Sequence, residues 1–227
     1  MNEIISFYDV TVKIGQKTIL SNIDFKLNRG DFILLIGANG SGKTTLLKTA
    51  LGFIKPSFGS IIYKNEISGY KDIKNFCGYV PQRLDIDRYF PVIAEDVINF
   101  AKPEKNLLNY IIKEFRIKDI IRKPFGMLSG GERQKILLAM ALSKKPDILL
   151  LDEPNLNLDI NAYRDFLRCL LLIKKEFNPT ILMVTHLISI IPKMVNRVFV
   201  IKDGRIIYKK APYEIFKIKN IMEIIYG

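Results

Sequence analysis

The chain has 227 residues, which is enough for one domain, or for one domain with a small insertion, around a core of ordinary size. Hydrophobic residues make up 48% and charged residues 26% of the sequence, so intrinsically disordered, collagen-like and low-complexity proteins are excluded. The formal net charge of +12 favours an anionic neighbour such as a nucleotide, a nucleic acid or an acidic membrane surface, although basic residues spread along the chain fit an ordinary solvated surface equally well.

The first predicted elements are the strands of an antiparallel piece between Ile4 and Leu27. Short β-type runs flank a turn at Gly15-Gln16-Lys17, and apolar residues alternate in the second run. The residues before them include an acid and lack the basic segment and apolar run of a signal peptide, so we expect no leader sequence.

A phosphate-binding loop follows the next predicted strand. Phe32 to Ile36 is a continuous apolar run, typical of a buried strand, and Thr44 to Leu51 is predicted to be a helix. In the loop between them, backbone amides and the helix N-terminus can bind phosphates, while Lys43 reaches the outer phosphates and Thr44 can ligate Mg²⁺. The predicted nucleotide-binding residues are Gly37, Asn39, Gly40, Ser41, Gly42, Lys43, Thr44 and Thr45.

A helical insertion is predicted next, at residues 87–128. This stretch has no run typical of a buried strand, and its apolar residues have helical spacing. We therefore expect a single domain in which residues 1–86 and 129–227 form the core and residues 87–128 form a small helical subdomain. The spacing is carried by Val97, Ile98, Leu107, Leu108, Ile111, Ile112 and Phe115.

The segment Ser129-Gly130-Gly131 precedes a predicted helix at Lys135 to Leu142 and is expected to form a helix N-terminus that binds phosphate. One nucleotide does not need two such sites. The simplest arrangement is therefore a head-to-tail pair of chains, in which each chain presents this helix start to the nucleotide in the other chain's loop.

Two adjacent acids end the next predicted strand, Ile148 to Leu151. Asp152 is suited to hold the Mg²⁺ of a nucleotide through its water shell, and Glu153 is suited to polarise the water that attacks the γ-phosphate. An acidic pair is more often a helix cap or a solvated turn, but the apolar strand and the upstream loop favour the catalytic interpretation.

The remaining elements complete a doubly wound α/β sheet. Both cysteines, Cys77 and Cys169, are predicted to be buried apolar residues, and the uncharged stretch from Thr180 to Pro192 is shorter than the roughly 18–20 residues that span a bilayer. The expected elements are a helix that buries Tyr163, Phe166, Leu167, Leu170 and Leu171, a strand at Thr180 to Val184, a hairpin at Arg197 to Lys209 that turns at Asp203-Gly204, and an amphipathic helix from Tyr213 to Tyr226.

These landmarks, in this order, resemble the ATP-binding cassette (ABC) family of P-loop NTPases over the whole chain. The resemblance implies an ATPase that uses ATP and Mg²⁺ and works as a homodimer. It implies that Gln82 senses Mg²⁺ and contacts the transport subunit, and that His186, otherwise an ordinary core or surface histidine, contacts the γ-phosphate. It also implies that Asp159 acts across the dimer, together with Ser129, Gly130 and Gly131.

The chain departs from the family pattern in two places. The family usually has an adenine-stacking aromatic residue where this chain has Ile14, so an aliphatic contact is expected, or Phe7 or Tyr8 substitutes. In the segment that contacts the other chain, Asn155 and Leu156 replace the more usual threonine and small residue. Neither change removes a phosphate-binding, metal-binding or water-activating group.

One stretch resembles the zinc and manganese importers within the family. It runs from Gly78 to Pro91 and continues through Ala94 to Val97, although residues 99–103 lack the glycine and arginine common in metal and iron-chelate importers. We therefore expect the ATPase subunit of a metal-ion importer for zinc, manganese or iron, at the cytoplasmic face of the membrane. Its partners would be a separate permease and, indirectly, a periplasmic or surface metal-binding protein.

Other functions remain open. A soluble cassette protein acting on nucleic acid or ribosomes would suit the charge, but such proteins carry paired cassettes or long coiled-coil insertions, and no nucleic-acid partner is expected. An iron-sulfur assembly protein or a transporter of another substrate would differ in its partners. A nucleotide-binding module without activity is disfavoured by the presence of Glu153 and His186.

Overall fold

The computed structural model describes residues 3–64, 73, 75–82, 91–156, 158–185, 193–215 and 217–226. In chain order, the strands are β1 (Glu3–Ile14), β2 (Lys17–Asn28), β3 (Phe32–Ile36), β4 (Phe58–Tyr63), β5 (Cys77–Val80), β6 (Ile148–Asp152), β7 (Thr180–Val184), β8 (Arg197–Lys202) and β9 (Arg205–Lys210). The helices are α1 (Lys43–Ala50), α2 (Ala94–Asn99), α3 (Lys105–Glu114), α4 (Gly130–Leu142), α5 (Ile160–Phe177), α6 (Pro212–Ile215) and α7 (Ile221–Tyr226). One turn of 3-10 helix lies at Phe125–Met127.

The central sheet has six strands in the order β5-β6-β7-β3-β8-β9. Strands β5, β6, β7, β3 and β8 are parallel, and β9 runs antiparallel to β8 at the edge, as the predicted hairpin requires. Because all five residues of β3 are buried, Phe32, Leu34 and Ile36 pack in one apolar core while the residues between them pack in a second core on the other face. The doubly wound α/β class is confirmed.

A second, antiparallel sheet has the order β2-β1-β4. It confirms the predicted N-terminal piece, with the turn where Gly15 has φ +59°. This sheet shares an aromatic core with the central one, because the Phe7 ring stacks on Phe25 and Phe25 meets Phe199 edge to face. The sequence does not predict β4, whose residues are mostly exposed and lack a clear apolar alternation.

In residues 91–128 the regular elements are α2, α3 and the 3-10 turn, joined by turns and irregular segments, with one isolated bridge between Ile93 and Pro124. The helical spacing is confirmed, since Leu107, Ile111 and Phe115 are buried while Leu108 and Ile112 are partly buried. These side chains join the same apolar core as α4 and α5. The division of the chain into a core and a helical subdomain at residues 87–128 stays a prediction.

Two helix predictions need correction. Leu171 is 50% exposed rather than buried, because at about 100° per residue it lies about 100° around the helix from Leu170, which is near the middle of the buried face. The single C-terminal helix is wrong: α6 and α7 are separate short helices, and Asn220 between them has φ +58°, outside the right-handed helical region.

Both cysteines are buried and unpaired in disulfides, as predicted. Within the described part of the chain, none of the helices combines the length and the apolar character needed to cross a membrane.

Candidate functional site

The predicted phosphate loop lies between β3 and α1 and is pressed tightly against neighbouring strands. A Cβ atom on Gly37 would lie 2.3 Å from the carbonyl oxygen of Ile201, so only glycine fits there. Gly42 has φ +104°, and a Cβ atom on it would lie 2.7 Å from a methyl carbon of Leu20. The loop backbone is therefore held by the packing of β2 and β8 on either side.

The start of α1 is built to receive an anion. No side chain caps the helix at Gly42, and its first turn contains no acidic residue, so the helix dipole and the first-turn amides are not neutralised by the chain's own carboxylates. The buried hydroxyl of Ser41 has no hydrogen-bond partner among the described residues. A phosphate group would satisfy these donors, so the loop fits the phosphates of ATP.

Lys43 joins the loop to the acidic end of β6. Its ammonium group donates hydrogen bonds of 2.8 Å to the carbonyl oxygens of Gly37 and Ala38, and it lies 3.8 Å from a carboxylate oxygen of Glu153. Burial lowers the pKa of Lys43, and the nearby carboxylates of Glu153 and Asp152 oppose that shift.

Asp152 ends β6 with both carboxylate oxygens engaged. One oxygen accepts a hydrogen bond from the Thr44 hydroxyl at 3.2 Å, and the other accepts one from the Tyr79 hydroxyl at 3.4 Å. Burial raises the pKa of Asp152, while the two hydrogen bonds lower it. Burial also raises the pKa of Tyr79, so its hydroxyl keeps its proton and acts as the donor.

The donor set fits Mg²⁺ delivered with a nucleotide. A hydroxyl and a carboxylate, from Thr44 and Asp152, are hard oxygen ligands, and Mg²⁺ is usually bound by one or two such groups together with phosphates and waters. Among the residues that the structure describes, no group of three histidine, cysteine or acidic side chains forms a metal cage. The hydroxyl of Thr44 and the carboxylate of Asp152 therefore suit Mg²⁺ that arrives with a nucleotide.

Glu153 leaves β6 in an unusual conformation. Its φ of +45° lies in the left-handed region, which costs about 1–3 kcal/mol for a residue with a side chain, and its amide donates to the carbonyl oxygen of Val184 at 3.0 Å. The carboxylate is buried and accepts a hydrogen bond from the Gln82 amide at 3.2 Å. A carboxylate held in this way can orient a water molecule and accept its proton.

These groups border a cavity of about 890 Å³. Gly37, Ser41 and Asp152 are not among its lining residues. Three lining residues, Lys17, Ile19 and Leu156, are not among the predicted site residues, and only the position of the first two beside the β1–β2 turn could have indicated them. The lining residues are Lys17, Ile19, Asn39, Gly40, Gly42, Lys43, Thr44, Thr45, Gln82, Glu153 and Leu156.

The candidate adenine contacts lie apart from this lining. Ile14 is 56% exposed at the end of β1, where it pairs in register with Lys17 of the cavity wall. Phe7 is fully buried against Phe25, so the expectation that it could stack on adenine is wrong. Tyr8 is partly exposed and carries the Lys26 ammonium over its ring, outside the cavity lining.

The remaining predicted residues form a second cluster at two helix starts. Ser129 caps α4 in a capping box with Glu132, and Asp159 caps α5 by accepting a hydrogen bond from the Ala162 amide at 2.8 Å. The two starts touch, because a Cβ atom on Gly131 would lie 2.8 Å from that of Ala162. None of the residues of this cluster lines the described cavity of the same chain.

His186 lies outside the described residues. Its neighbour Thr185 is buried and donates a hydrogen bond of 3.0 Å to the side-chain oxygen of Asn155. Asn155, one of the two departures from the usual pattern, therefore connects the segment after Glu153 to the end of β7.

Tyr79 is a further residue near the site that the sequence did not predict. The signal that could have found it is its place in a short apolar run, three residues before Gln82, which predicts a strand ending at the same sheet edge as β6.

Comparison with known proteins gives concordant matches. The family described as ABC transporter matches residues 20–156. The chain is 35% identical over 204 residues to the zinc import ATP-binding protein ZnuC of Buchnera aphidicola subsp. Baizongia pistaciae, covering 89% of this chain and 82% of that one. It is 31% identical over 228 residues to the zinc uptake system ATP-binding protein ZurA of Listeria innocua, covering 94% and 88%.

The fold is similar to that of a solved relative. CbiO1 from Clostridium perfringens, described as part of the ABC transporter complex cbiONQ, superposes with a TM-score of 0.83 at 28% identity. The match covers 99% of this chain and 94% of that one.

Proposed function

The chain belongs to the ABC transporter family and is one of its ATPases, and we propose that it drives the import of a divalent metal ion, zinc in the first place. The ATPase chemistry is carried by one observation: Lys43, Thr44, Gln82 and Glu153 line one cavity, and Asp152 is hydrogen-bonded to Thr44. The choice of metal is supported by the relatives named for zinc import and uptake, while manganese and iron are the alternatives to be tested.

ATP is held by the loop and by α1. The loop amides and the Ser41 hydroxyl bind the phosphates, and Lys43 neutralises the outer ones from its position beside Glu153. Thr44, Asp152 and Gln82 hold Mg²⁺, which when bound neutralises charge on the phosphate oxygens. Gly37, Asn39, Gly40, Gly42 and Thr45 complete the set.

Hydrolysis depends on the buried end of β6. Glu153 orients the attacking water and accepts its proton at a carboxylate oxygen, while Gln82 fixes the other carboxylate oxygen by its 3.2 Å hydrogen bond. His186 contacts the γ-phosphate, which is the role that the family resemblance assigns to it.

A second copy of the chain completes each ATP site. The cluster of Ser129, Gly130, Gly131 and Asp159 offers a helix start that the same chain's cavity does not use, and in a head-to-tail dimer it meets the other chain's ATP. ATP binding then closes the dimer and hydrolysis reopens it, which is the movement passed to the membrane partner.

A groove near the edge of the sheet is suited to a permease. It has a volume of about 530 Å³ and exposes two large apolar side chains, Phe53 and Phe100, beside the cations Lys102 and Lys144. Exposed aromatic residues in a groove are typical of docking surfaces. The permease would hold the chain at the cytoplasmic face of the membrane and receive the metal from a periplasmic or surface binding protein.

The test is capture of the partner from native membranes. The tagged chain should bring down a multi-span permease in near-equal amount, and Phe100→Glu should lose it while retaining ATP binding. The captured complex in proteoliposomes should take up ⁶⁵Zn²⁺ with ATP. Stronger competition by Mn²⁺ or Fe²⁺ than by unlabelled Zn²⁺ would change the assigned metal, whereas capture of ribosomal or iron-sulfur assembly proteins would overturn the transport function and leave the ATPase intact.

A further inference from the structure

We propose that Tyr79 is a positioning residue that links occupancy of the groove to the geometry of Asp152, and through it to Mg²⁺ binding. The identity of the groove as a permease dock rests on the proposed function. The link itself rests on the contacts of Tyr79.

Tyr79 contributes both to the groove and to the surroundings of Asp152. It lines the groove together with Cys77 and Gly78 of the same strand. Its hydroxyl donates to Asp152 at 3.4 Å, at the acidic end of the ATP site. One half-buried residue therefore both lines the groove and hydrogen-bonds Asp152.

Asp152 is sensitive to this contact because it is almost completely buried, at 1% exposure. Each of its two carboxylate oxygens accepts one hydrogen bond, from the Thr44 hydroxyl on α1 and from the Tyr79 hydroxyl on β5. A buried carboxylate oxygen that loses its donor is left without water to replace it. Displacement of the Tyr79 ring would therefore alter the orientation of the Asp152 carboxylate.

The strand that carries Tyr79 is placed to respond to the groove. Among the described strands, β5 is an edge of the central sheet and pairs with β6 alone. Its Gly78 packs so closely on α4 that a Cβ atom would lie 2.4 Å from the carbonyl oxygen of Ala141, which is itself a groove residue. A side chain that fills the groove therefore packs against residues of β5 and α4 together, Tyr79 among them.

The experiment places a reporter in the groove. Phe100 is 73% exposed there, whereas Cys77 of the same groove is 7% exposed and Cys169 is fully buried, so Phe100→Cys offers the one well-exposed thiol for an environment-sensitive fluorophore. Labelled protein is mixed with the non-hydrolysable analogue AMP-PNP and titrated with Mg²⁺. The fluorescence of the label and the affinity for the analogue are both recorded.

The matched control is Tyr63→Phe. The Tyr63 hydroxyl is also buried and donates a 2.8 Å hydrogen bond, but to the carbonyl oxygen of Ala50, away from Asp152. We expect Tyr79→Phe to raise the Mg²⁺ concentration for half-maximal analogue binding roughly three- to tenfold and to abolish the Mg²⁺-dependent change of the label. Tyr63→Phe should leave both quantities unchanged.

Reciprocity supplies a second measurement that leaves Tyr79 intact. The bulky label should itself shift the Mg²⁺ dependence, compared with the unlabelled Phe100→Cys chain. Equal Mg²⁺ dependence with and without the label overturns the proposal, and so does a full label response in Tyr79→Phe. Failure to capture a permease would instead overturn the proposed function, while these two measurements on the isolated chain would stand.

Discussion

The ammonium nitrogen of Lys43 lies 3.8 Å from a carboxylate oxygen of Glu153, and both side chains are almost excluded from solvent. Removing one member of a buried ion pair leaves the other charge without compensation. The phosphate loop and the end of β6 are therefore electrostatically dependent on each other. A substitution of either residue leaves the charge of the other without its partner in this pair.

Lys43→Ala should abolish ATP binding, with a loss of affinity of at least about 100-fold, because the loop loses the cation that faces the outer phosphates. Displacement of a fluorescent nucleotide measures the affinity. Lys48→Ala, on the exposed side of the same helix, is the matched control and should bind normally. Unchanged affinity in Lys43→Ala would refute the role assigned to the loop.

Glu153→Gln should lower ATP turnover roughly 10²- to 10⁴-fold and trap an ATP-bound dimer, because the amide keeps the size of the side chain but cannot accept a proton from water. Phosphate release and light scattering with ATP measure the two effects. Glu104→Gln, which changes an exposed acid paired with Lys145, should behave as the parent. Turnover at the parental rate would remove Glu153 from the mechanism.

Asp152→Asn should stabilise the nucleotide-free protein relative to the parent chain, by an amount that grows as the pH rises. Burial raises the pKa of Asp152 above 3.8, so the folded chain holds this proton more tightly than the unfolded chain, and the free energy of unfolding falls as the pH rises through that window. The variant lacks this dependence. Thermal unfolding between about pH 4 and pH 7 should show a melting-temperature advantage of Asn that grows with pH, by roughly 2–4 °C per kcal/mol.

The same variant should bind Mg²⁺ and ATP more weakly than the parent chain. Its stability without nucleotide and its ligand affinity should therefore change in opposite directions. A constant difference in melting temperature across the pH range would show that Asp152 does not titrate differently in the folded and unfolded chains.

The elements that sequence predicts best here are those with local signals. Strand β3 is a pure apolar run next to a glycine, and β7 has the predicted bounds because all five of its residues, four of them apolar, are buried. Strand β5 is not predicted because it is short and contains a glycine. Gly78 is required there because α4 packs closely against the strand. Such a contact joins residues far apart in the chain, and no local pattern contains it.

The candidate site divides in the same way. The loop and the acids at the end of β6 are recognisable from adjacent residues, whereas the hydrogen bond of Gln82 to Glu153 joins residues that are 71 positions apart in the chain. The contact of Tyr79 with Asp152 requires that β5 and β6 be neighbours in the sheet. Strand order is decided by tertiary packing, so the sequence offered no direct route to that pair.

Ile14→Tyr should tighten ATP binding up to about tenfold if adenine lies against the end of β1, since an aromatic stacking contact contributes about 0.5–1.5 kcal/mol. Ile14 is exposed and faces Lys17, whose side chain borders the cavity. Ile62→Tyr, at an exposed position of β4, is the control. Equal affinities in both variants would place the adenine contact on other residues.

Gly131→Ala should destabilise the isolated chain by about 1–3 kcal/mol, because the added methyl group meets the Cβ atom of Ala162 at 2.8 Å. This outweighs the gain of up to about 1 kcal/mol from replacing glycine in a helix. Ala162→Gly in the same chain should restore much of the loss, as measured by chemical denaturation. Additive effects of the two substitutions would contradict a direct clash.

The hairpin formed by β8 and β9 has a consequence for the order of synthesis. At its tip, Gly204 donates its amide to the carbonyl oxygen of Ser41 in the phosphate loop and accepts a hydrogen bond from the amide of Ser21. Strand β3, which leads into the loop, is flanked by β7 and β8. A nascent chain that ends before Gly204 therefore lacks these two hydrogen bonds, so the phosphate loop reaches its final packing only late in synthesis.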